Sequence, residues 1–541
     1  MKATFTLLGL LIVTSLRLVV GQGFSPNLQN RFQSIIDSFQ NNPANPYVGG
    51  LAVAVKVDGL AEWKGVTGYA ARNIDAQNNL LPGGIPFAVD DVSRIYSVTK
   101  TFTASLTLEL VNAGAISLDD PVIKYLPLLS AVNPALNTNV TIRQLLDHES
   151  GYSDYTDEEQ LQIAVAFDPT HVWTPYEMIS FVHQISTPGA ERRYSSTNYI
   201  LLGAIIEAAT GKPVEQYFRQ RYFMPLHLTS MYLDGRETIA NGAQLVAPHD
   251  NISPFNPIFQ LTGQPTFPNT YTNISRFPLT GVVSLAFTSG GIVSNISDLA
   301  EWGNDLYSGK ATSESTLQAM LESISSTPDK DGDLLGYGII RSNKISGNYD
   351  FIGHDGNAPG YRSILFYQPQ KKLTLALMTN YHGANLYDVA KKLYEDLPDF
   401  LCGNNGDEEK KIQLCFNGNT LCVSRAAAAN FIYKGAYLGT CIATQQVKNE
   451  TIAPVGNSIS SSPNPFSTST TIAFKPQQSG RVSLRVYDMS GKMVADIYNG
   501  EAQSKIISKI DLDGTRLAPG IYIARMQTTS GIVEQKIIKS R

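Results

Sequence analysis

Strand-like segments at both ends of residues 24–400 constrain the fold more than any other feature. Near the start, "GGLAVAVKVDG" and "AEWKGVTGYA" predict two strands joined by a hairpin turn at Asp58 and Gly59. Near the end, "RSILFYQPQKKLTLALMTN" has the same β-rich character. Helical patterns alternate with short β-rich runs between them. We therefore expect one mixed α and β domain whose sheet is built from both ends of the segment, with helices inserted between.

The pattern changes after residue 456. With 541 residues the chain is too long for one ordinary core, so a division into domains is expected. Residues 457–464, "NSISSSPN", have the polar composition of a linker. Short alternating runs follow, separated by glycine-containing turns: "TTIAFKP", "RVSLRVYD", "KIISKIDL", "GIYIARMQT" and "IVEQKIIK". This spacing predicts a small all-β sandwich.

The first 22 residues have the pattern of a secretory signal peptide. A basic residue, Lys2, precedes an apolar stretch, and the small residue Gly21 lies near a plausible cleavage point. No later apolar run is long enough to cross a bilayer. The net charge of −5 gives no basic surface that would indicate nucleic acid as a partner. We expect an exported mature chain without a transmembrane segment.

Four cysteines lie close together in the sequence, at Cys402, Cys415, Cys422 and Cys441. In an exported chain they predict local disulfides, for which three pairings are possible. A metal site is the weaker alternative, because no histidine lies among them. We interpret residues 401–456 as a cysteine-containing spacer module and linker, and we expect no metal.

The stretch "RIYSVTKTFTASLTLELVNAG" combines a buried helix with reactive groups at its start. In a helix that begins near Tyr96 and runs to Gly114, Ser97 and Lys100 share one face. The serine hydroxyl is then a candidate nucleophile and the lysine amine a candidate acceptor of its proton. The alternative is ordinary: serine is a common helix cap, and this spacing also arises by chance.

A second segment, "ERRYSSTNYILLGAIIEAATG", places Tyr194 just before an apolar helix predicted over residues 198–209. If Lys100 lowers the pKa of its phenol, Tyr194 can move a proton between nucleophile and leaving group. The alternative is a tyrosine that packs at the start of the helix.

A third segment, "FIGHDGNAPGYRS", carries the remaining candidates. His354 is predicted to hydrogen-bond the substrate, and Gly356 to allow close approach of the backbone. The N–H groups of Asn357 and Ser97 would then form an oxyanion hole.

Together, "SVTK", "YSS" and "HDG" resemble the serine β-lactamase and penicillin-binding superfamily, in its class C and DD-peptidase-like branch with esterases and D-aminopeptidases. The ordered signature of that superfamily is S-x-x-K, Y-x-N and K-T-G or H-x-G, and the resemblance spans about residues 29–380. It implies an α+β domain, an antiparallel sheet flanked by helices plus a helical region. It also implies acyl transfer through a covalent intermediate on Ser97, with no cofactor.

The resemblance implies a role for each candidate and departs from the pattern at two positions. Lys100 and Tyr194 would manage the proton, while His354, Gly356 and Asn357 would contact the substrate. Ser196 stands where the superfamily has asparagine. Serine lacks the side-chain amide that would hydrogen-bond both the substrate and the lysine. His354 replaces the lysine of true β-lactamases and is a poorer carboxylate anchor. Both departures disfavour penicillin hydrolysis.

The C-terminal segments "SPNPFSTSTTIAF", "VYDMSGKMV" and "LAPGIYIARM" resemble the C-terminal sorting domain of type IX secretion, typical of Bacteroidetes. The resemblance covers residues 462–541. It implies the type IX secretion machinery as a partner and a secreted or cell-surface location.

We therefore expect four parts: a signal peptide (1–22), a β-lactamase-related serine hydrolase domain (24–400), the cysteine module (401–456) and the sorting domain (457–541). The expected activity is hydrolysis of an ester or of a small peptide or amide. Two alternatives remain, a catalytically inactive binding or sensor protein and, less favoured, an adhesion protein that acts through its β-sandwich. The insertions at residues 155–191 and 235–281 are expected to shape the substrate pockets.

Overall fold

The structure is a computed structural model that describes residues 23–41, 49–239, 244–403 and 411–441. In the C-terminal region it describes residues 458–540 except 463, 465, 477, 489–490, 505, 507 and 530. The predicted signal peptide (1–22) therefore lies outside the described residues. The prediction of a linker over residues 457–464 is wrong for Ser458–Ser462, which form a strand paired with Ser469–Lys475. Two compact units divide the chain, residues 1–441 and residues 442–541.

An eight-stranded antiparallel sheet forms the centre of the first unit. In spatial order its strands are Leu80–Pro86, Ala61–Ile74, Gly50–Val57, Leu373–Thr379, Tyr361–Gln368, Phe351–Ala358, Ile340–Ser342 and Leu334–Leu335. The first and last parts of the unit meet in its middle, where Leu51 is paired with Thr379. The predicted hairpin is present, and Gly59 has the positive φ of 67° that its turn needs. The expectation of a sheet built from both ends is confirmed.

Both faces of this sheet are covered, which explains its continuous apolar strands. Leu51, Val53 and Val55 face a core that includes the helices Pro26–Gln40 and Leu386–Asp396. Ala52 and Ala54 face a larger core formed with the helical region. The α-helices of that region are Thr99–Asn112, Leu129–Val132, Ile142–Leu146, Glu159–Phe167, Pro175–Ile179, Ser196–Thr210, Val214–Phe218, Asn256–Thr262, Thr280–Gly290, Ile296–Tyr307 and Glu314–Glu322.

Short elements connect the helical region. Single turns of 3₁₀-helix occupy Tyr96–Val98, Val122–Lys124, Tyr155–Asp157 and Ser253–Phe255, and a π-helical turn occupies Arg219–Phe223. A three-stranded sheet joins Ser93–Arg94, Ile292–Ser294 and Tyr232–Leu233, and a two-stranded one joins His249–Asp250 and Thr272–Asn273.

The cysteine module forms part of the first unit. Its strands Leu401–Cys402, Lys411–Phe416, Asn419–Val423 and Tyr437–Leu438 and its helix Arg425–Tyr433 are held by the disulfides Cys402–Cys422 and Cys415–Cys441. Ile412, Leu414 and Ile432 are buried in the same core as the helix Pro26–Gln40. The sequence left three pairings open, and the structure selects one. It also groups residues 411–441 with the first unit, in one continuous core.

The second unit contains two antiparallel sheets that share one apolar core, which confirms the predicted all-β sandwich. One sheet has the order Ser458–Ser462, Ser469–Lys475, Ser508–Asp513. The other has the order Met493–Ala502, Gly480–Asp488, Gly520–Thr528, Gly531–Lys539. Phe474 of the first sheet and Leu484 and Met526 of the second are buried in the shared core. Within the described ranges, no helix has the length and apolar character needed to span a bilayer.

Candidate active site

Ser97 lies in a sharp turn between a short strand and a buried helix. The predicted helix begins as the 3₁₀ turn Tyr96–Val98 and continues as the α-helix Thr99–Asn112. Tyr96 has a φ of 40°, a conformation that non-glycine residues rarely adopt. Its ring is buried and packs against Tyr361 at a centroid distance of 6.0 Å. The strained residue thus directly precedes the candidate nucleophile, a position where backbone strain is often found in active sites.

Lys100 is completely buried, and its amine has three polar neighbours. Nζ lies 2.9 Å from Ser97 Oγ, 2.9 Å from the main-chain oxygen of Ser289 and 3.4 Å from Ser196 Oγ. A neutral amine has two N–H groups and one lone pair. The carbonyl of Ser289 and the hydroxyl of Ser196 can accept the two N–H groups, which leaves the lone pair for the hydroxyl proton of Ser97.

Burial also changes the charge of this amine. Desolvation lowers the pKa of Lys100 from its usual value to about 7, although Asp154 and Asp355 act weakly in the opposite direction. A large fraction of Lys100 is therefore neutral near pH 7. A neutral amine beside a serine hydroxyl is an acceptor for its proton.

Tyr194 is half-buried and close to both groups. Its ring centroid lies 5.0 Å from Lys100 Nζ. Desolvation raises the pKa of its phenol well above the usual value, and a hydrogen bond with Ser97 acts in the opposite direction. The condition set out from the sequence, that Lys100 lowers this pKa, is not met, because loss of water outweighs the hydrogen bond with Ser97. The phenol stays protonated, so Tyr194 is suited to donate a proton and Lys100 to accept one.

Ser196 begins the buried helix Ser196–Thr210, close to the predicted start at residue 198. Its main-chain N–H donates to the carboxylate of Asp154 at 2.8 Å, while its hydroxyl faces Lys100 at 3.4 Å. The shorter side chain thus reaches the lysine, but at a longer distance than the serine nucleophile does.

His354, Gly356 and Asn357 lie on the strand Phe351–Ala358, which runs beside the segment that carries Ser97. A Cβ at Gly356 would clash with the main-chain oxygen of Ile95, so glycine is required for this approach. Asn357 is exposed at the end of the strand. The structure thus brings Ser97, Gly356 and Asn357 to neighbouring backbone segments.

The imidazole of His354 is neutral and almost fully buried, with 2% of its surface exposed. Burial lowers its pKa to about 3, and the nearby Lys100 acts in the same direction. Nδ1 lies 2.6 Å from the main-chain oxygen of Asp355, which can only accept, so Nδ1 carries the proton. Nε2 is then an acceptor. The ring is more deeply buried than the sequence predicted, and its neutral state agrees with the expected weak carboxylate binding.

Two neighbours of the site were not predicted from the sequence. The main-chain oxygen of Ser289 contacts Lys100, and the ring of His148 stacks on Tyr194 with a centroid distance of 4.6 Å. Every residue has a main-chain oxygen, so residue type does not indicate which one will contact Lys100. His148 lies in the stretch "DHESGYSDY", and nothing local connects it with Tyr194. Among the described residues, no cluster of three or more His, Cys, Asp or Glu side chains is arranged to hold a metal ion.

Comparison with protein families gives two matches. Residues 35–397 match the family model described as Beta-lactamase. Residues 462–540 match the model described as Secretion system C-terminal sorting domain. Both agree with the resemblances seen in the sequence motifs.

Individual relatives match different shares of the chain. The chain is 33% identical over 184 residues to Penicillin-binding protein 4 of Amycolatopsis lactamdurans, covering 34% of this chain and 44% of that protein. It is 25% identical over 364 residues to D-alanyl-D-alanine-carboxypeptidase/endopeptidase AmpH of Escherichia coli K12, covering 63% and 86%. The chain thus spans about half the length of the first of these relatives. Among solved structures, a D-stereospecific amidohydrolase from Streptomyces sp. has a TM-score of 0.53 and 26% identity, covering 68% of this chain and 97% of that one.

Proposed function

This chain belongs to the Beta-lactamase family, and from that premise we propose that it is an exported serine hydrolase that forms an acyl-enzyme on Ser97. The proposed substrates are esters and small amides or peptides, with penicillins disfavoured. The observation that carries the proposal is the contact of 2.9 Å between Lys100 Nζ and Ser97 Oγ in a buried setting that lowers the pKa of the amine to about 7.

The proposed mechanism has two chemical stages. The hydroxyl oxygen of Ser97 attacks the substrate carbonyl while Lys100 takes the hydroxyl proton. The N–H groups of Ser97 and Asn357 stabilise the negative oxygen of the tetrahedral intermediate. The bond to the leaving group then breaks, and the leaving group receives a proton through the phenol of Tyr194. Water attacks the acyl-enzyme by the reverse proton path and releases the acid and the free serine.

The charge of the site supports substrates without a carboxylate next to the reacting bond. His354 is neutral and donates its one N–H to the backbone of Asp355, so it offers an acceptor rather than a cation. Lys100, with a pKa of about 7, is only partly charged near pH 7. Esters and amino-acid amides need no cationic anchor for a carboxylate. The name of the structurally similar D-stereospecific amidohydrolase from Streptomyces sp. describes hydrolysis of an amide.

The test is covalent labelling combined with a substrate screen. The purified chain is treated with a fluorophosphonate and assayed on p-nitrophenyl esters, D-phenylalanine amide, a D-alanyl-D-alanine peptide and a chromogenic cephalosporin. We expect labelling, and turnover of an ester or of the amide at least about tenfold faster than of the cephalosporin. Faster cephalosporin hydrolysis would contradict the substrate class. Absence of both labelling and turnover would favour a binding or sensor protein.

Replacing Ser196 tests the contribution of this position. In Ser196→Asn the amide oxygen can accept from Lys100, as the serine hydroxyl does, and the amide N–H adds a donor for a carbonyl group of the substrate. We expect the ratio of amide to ester turnover to rise by about tenfold, since one good hydrogen bond corresponds to roughly 1.4 kcal/mol. Ser196→Ala is the matched control and should lower both rates. An unchanged ratio in Ser196→Asn would show that this position does not contact the substrate.

Export is proposed from the C-terminal match to a sorting domain. We propose that the chain is carried to the cell surface or the medium by type IX secretion, with the hydrolase unit as cargo. Deleting residues 457–541 should abolish export from a host with that machinery while kcat/KM of the purified protein changes less than about twofold, because the two compact units have separate cores. Secretion of the truncated chain would contradict the proposal.

A further inference from the structure

His148 occupies an unusual backbone position beside the site. It follows the helix Ile142–Leu146 and has a φ of 59°, in the left-handed region. Its side chain is 3% exposed. Non-glycine residues rarely adopt this conformation, and it persists only where the surroundings fix it. The surroundings here are the three residues around Tyr194.

Three contacts join His148 to this segment. The main-chain oxygen of His148 accepts a hydrogen bond from the N–H of Arg193 at 2.8 Å. Its ring Nδ1 accepts one from the N–H of Ser195 at 3.1 Å. Its ring stacks on Tyr194 with an interplanar angle of 23°. One residue thus holds the backbone on both sides of Tyr194 and also covers the tyrosine ring.

A second aromatic ring also packs against the imidazole. The ring of Tyr199 lies 5.1 Å from that of His148, in the buried helix Ser196–Thr210. Next to His148, the carboxylate of Asp147 forms an ion pair with Arg192 at 2.6 Å, which joins the same two segments again. Tyr194 itself lies outside any helix or strand. Its position therefore depends on these tertiary contacts rather than on secondary structure.

The protonation state of His148 fits this arrangement. Because Nδ1 accepts the N–H of Ser195, the ring proton lies on Nε2. Burial lowers the pKa of His148 well below its usual value, and the nearby Lys100, His354 and Arg192 act in the same direction. The ring therefore stays neutral and keeps its acceptor throughout the working pH range.

From these contacts we propose that His148 is a positioning residue that holds the phenol of Tyr194 against Ser97. The inference deepens the proposed function, since it rests on Tyr194 as the group that delivers the proton. It assigns His148 no contact with the substrate. The loss of His148 should therefore slow the chemical step and leave substrate binding nearly unchanged.

A double-mutant cycle tests this role. The variants are His148→Asn, which suits a left-handed backbone but loses the stacked ring, Tyr194→Phe, and the two combined. We expect His148→Asn to lower kcat by about 10–100-fold with KM changed less than about threefold, because small displacements of a proton-transfer group have effects of this size. In the Tyr194→Phe background the same replacement should lower kcat by less than about twofold.

The matched control is His227→Asn. His227 is exposed and also has a positive φ, of 56°, and its replacement should leave kcat unchanged. His148→Gln, which also lacks the stacked ring, should lower kcat in the same way and provides a second variant if His148→Asn unfolds. Full additivity in the cycle, or an unchanged kcat in His148→Asn with normal thermal stability, would overturn the proposal. If Tyr194→Phe alone is fully active, the assignment of Tyr194 fails together with this inference, while labelling of Ser97 still reports on the hydrolase itself.

Discussion

Ser97→Ala should remove all measurable turnover, lowering kcat by at least about 10⁴-fold, and should abolish covalent labelling by a fluorophosphonate. The replacement deletes one hydroxyl whose neighbour is the amine of Lys100 at 2.9 Å. No bond to the acyl group can then form. The measurement is single-turnover kinetics on an ester, together with mass spectrometry of the labelled protein.

A matched serine control separates loss of the nucleophile from a general effect. The control is Ser34→Ala. Ser34 lies on the helix Pro26–Gln40, where its exposed hydroxyl donates to the main-chain oxygen of Asn30. It should keep full activity and full labelling. Labelling that survives in Ser97→Ala would place the reactive serine elsewhere and contradict the proposed mechanism. Ser97→Ala should also melt within a few degrees of the natural protein, since it leaves the apolar core unchanged.

Lys100→Met should have the second largest effect, lowering the acylation rate by about 10³-fold. Methionine matches the length of the lysine stem but cannot take the proton of Ser97. In the natural protein kcat/KM should rise as pH increases through about 7, where Lys100 loses its proton. In the variant this rise should be absent. A variant that keeps the rise would show that another group, with Tyr194 the nearest candidate, acts as the base.

The same replacement should increase stability near neutral pH. Burial lowers the pKa of Lys100 from 10.5 in the unfolded chain to about 7 in the folded protein. Between these values the unfolded state binds more protons, so the stability of the natural protein rises with pH from about 7 to about 10.5. The buried amine therefore costs most at pH 7 and below, on the order of 4–5 kcal/mol at most. The melting temperature of Lys100→Met should exceed that of the natural protein at pH 6–7, and the difference should close towards pH 10.5.

Much of the fold and part of the site follow from local sequence signals. The hairpin turn, the two buried helices and the alternation of the C-terminal strands all depend on residue types within short windows, and the structure contains each of them. The spacing of Ser97 and Lys100 on one helical turn also predicts their contact, because helix geometry alone brings such residues together.

The parts that could not be predicted depend on tertiary surroundings. The role considered for Tyr194 from the sequence depended on a lowered pKa, and the pKa instead rises, since the burial of a phenol cannot be read from its neighbours in sequence. The contact of His148 with Tyr194 needs a left-handed residue, and nothing local indicates one at that position. The disulfide pairing depends on how the strands Lys411–Phe416 and Asn419–Val423 fold back on each other.

The pairing of Leu51 with Thr379 has a consequence for biosynthesis. The middle of the sheet forms only after residues 373–379 have been made, and closing so long a loop slows folding. Ser97 is synthesised early, yet the strand Phe351–Ala358 that completes its surroundings comes much later. A nascent chain that ends before residue 351 therefore lacks the strand beside Ser97, and the site can form only after this late segment has been made.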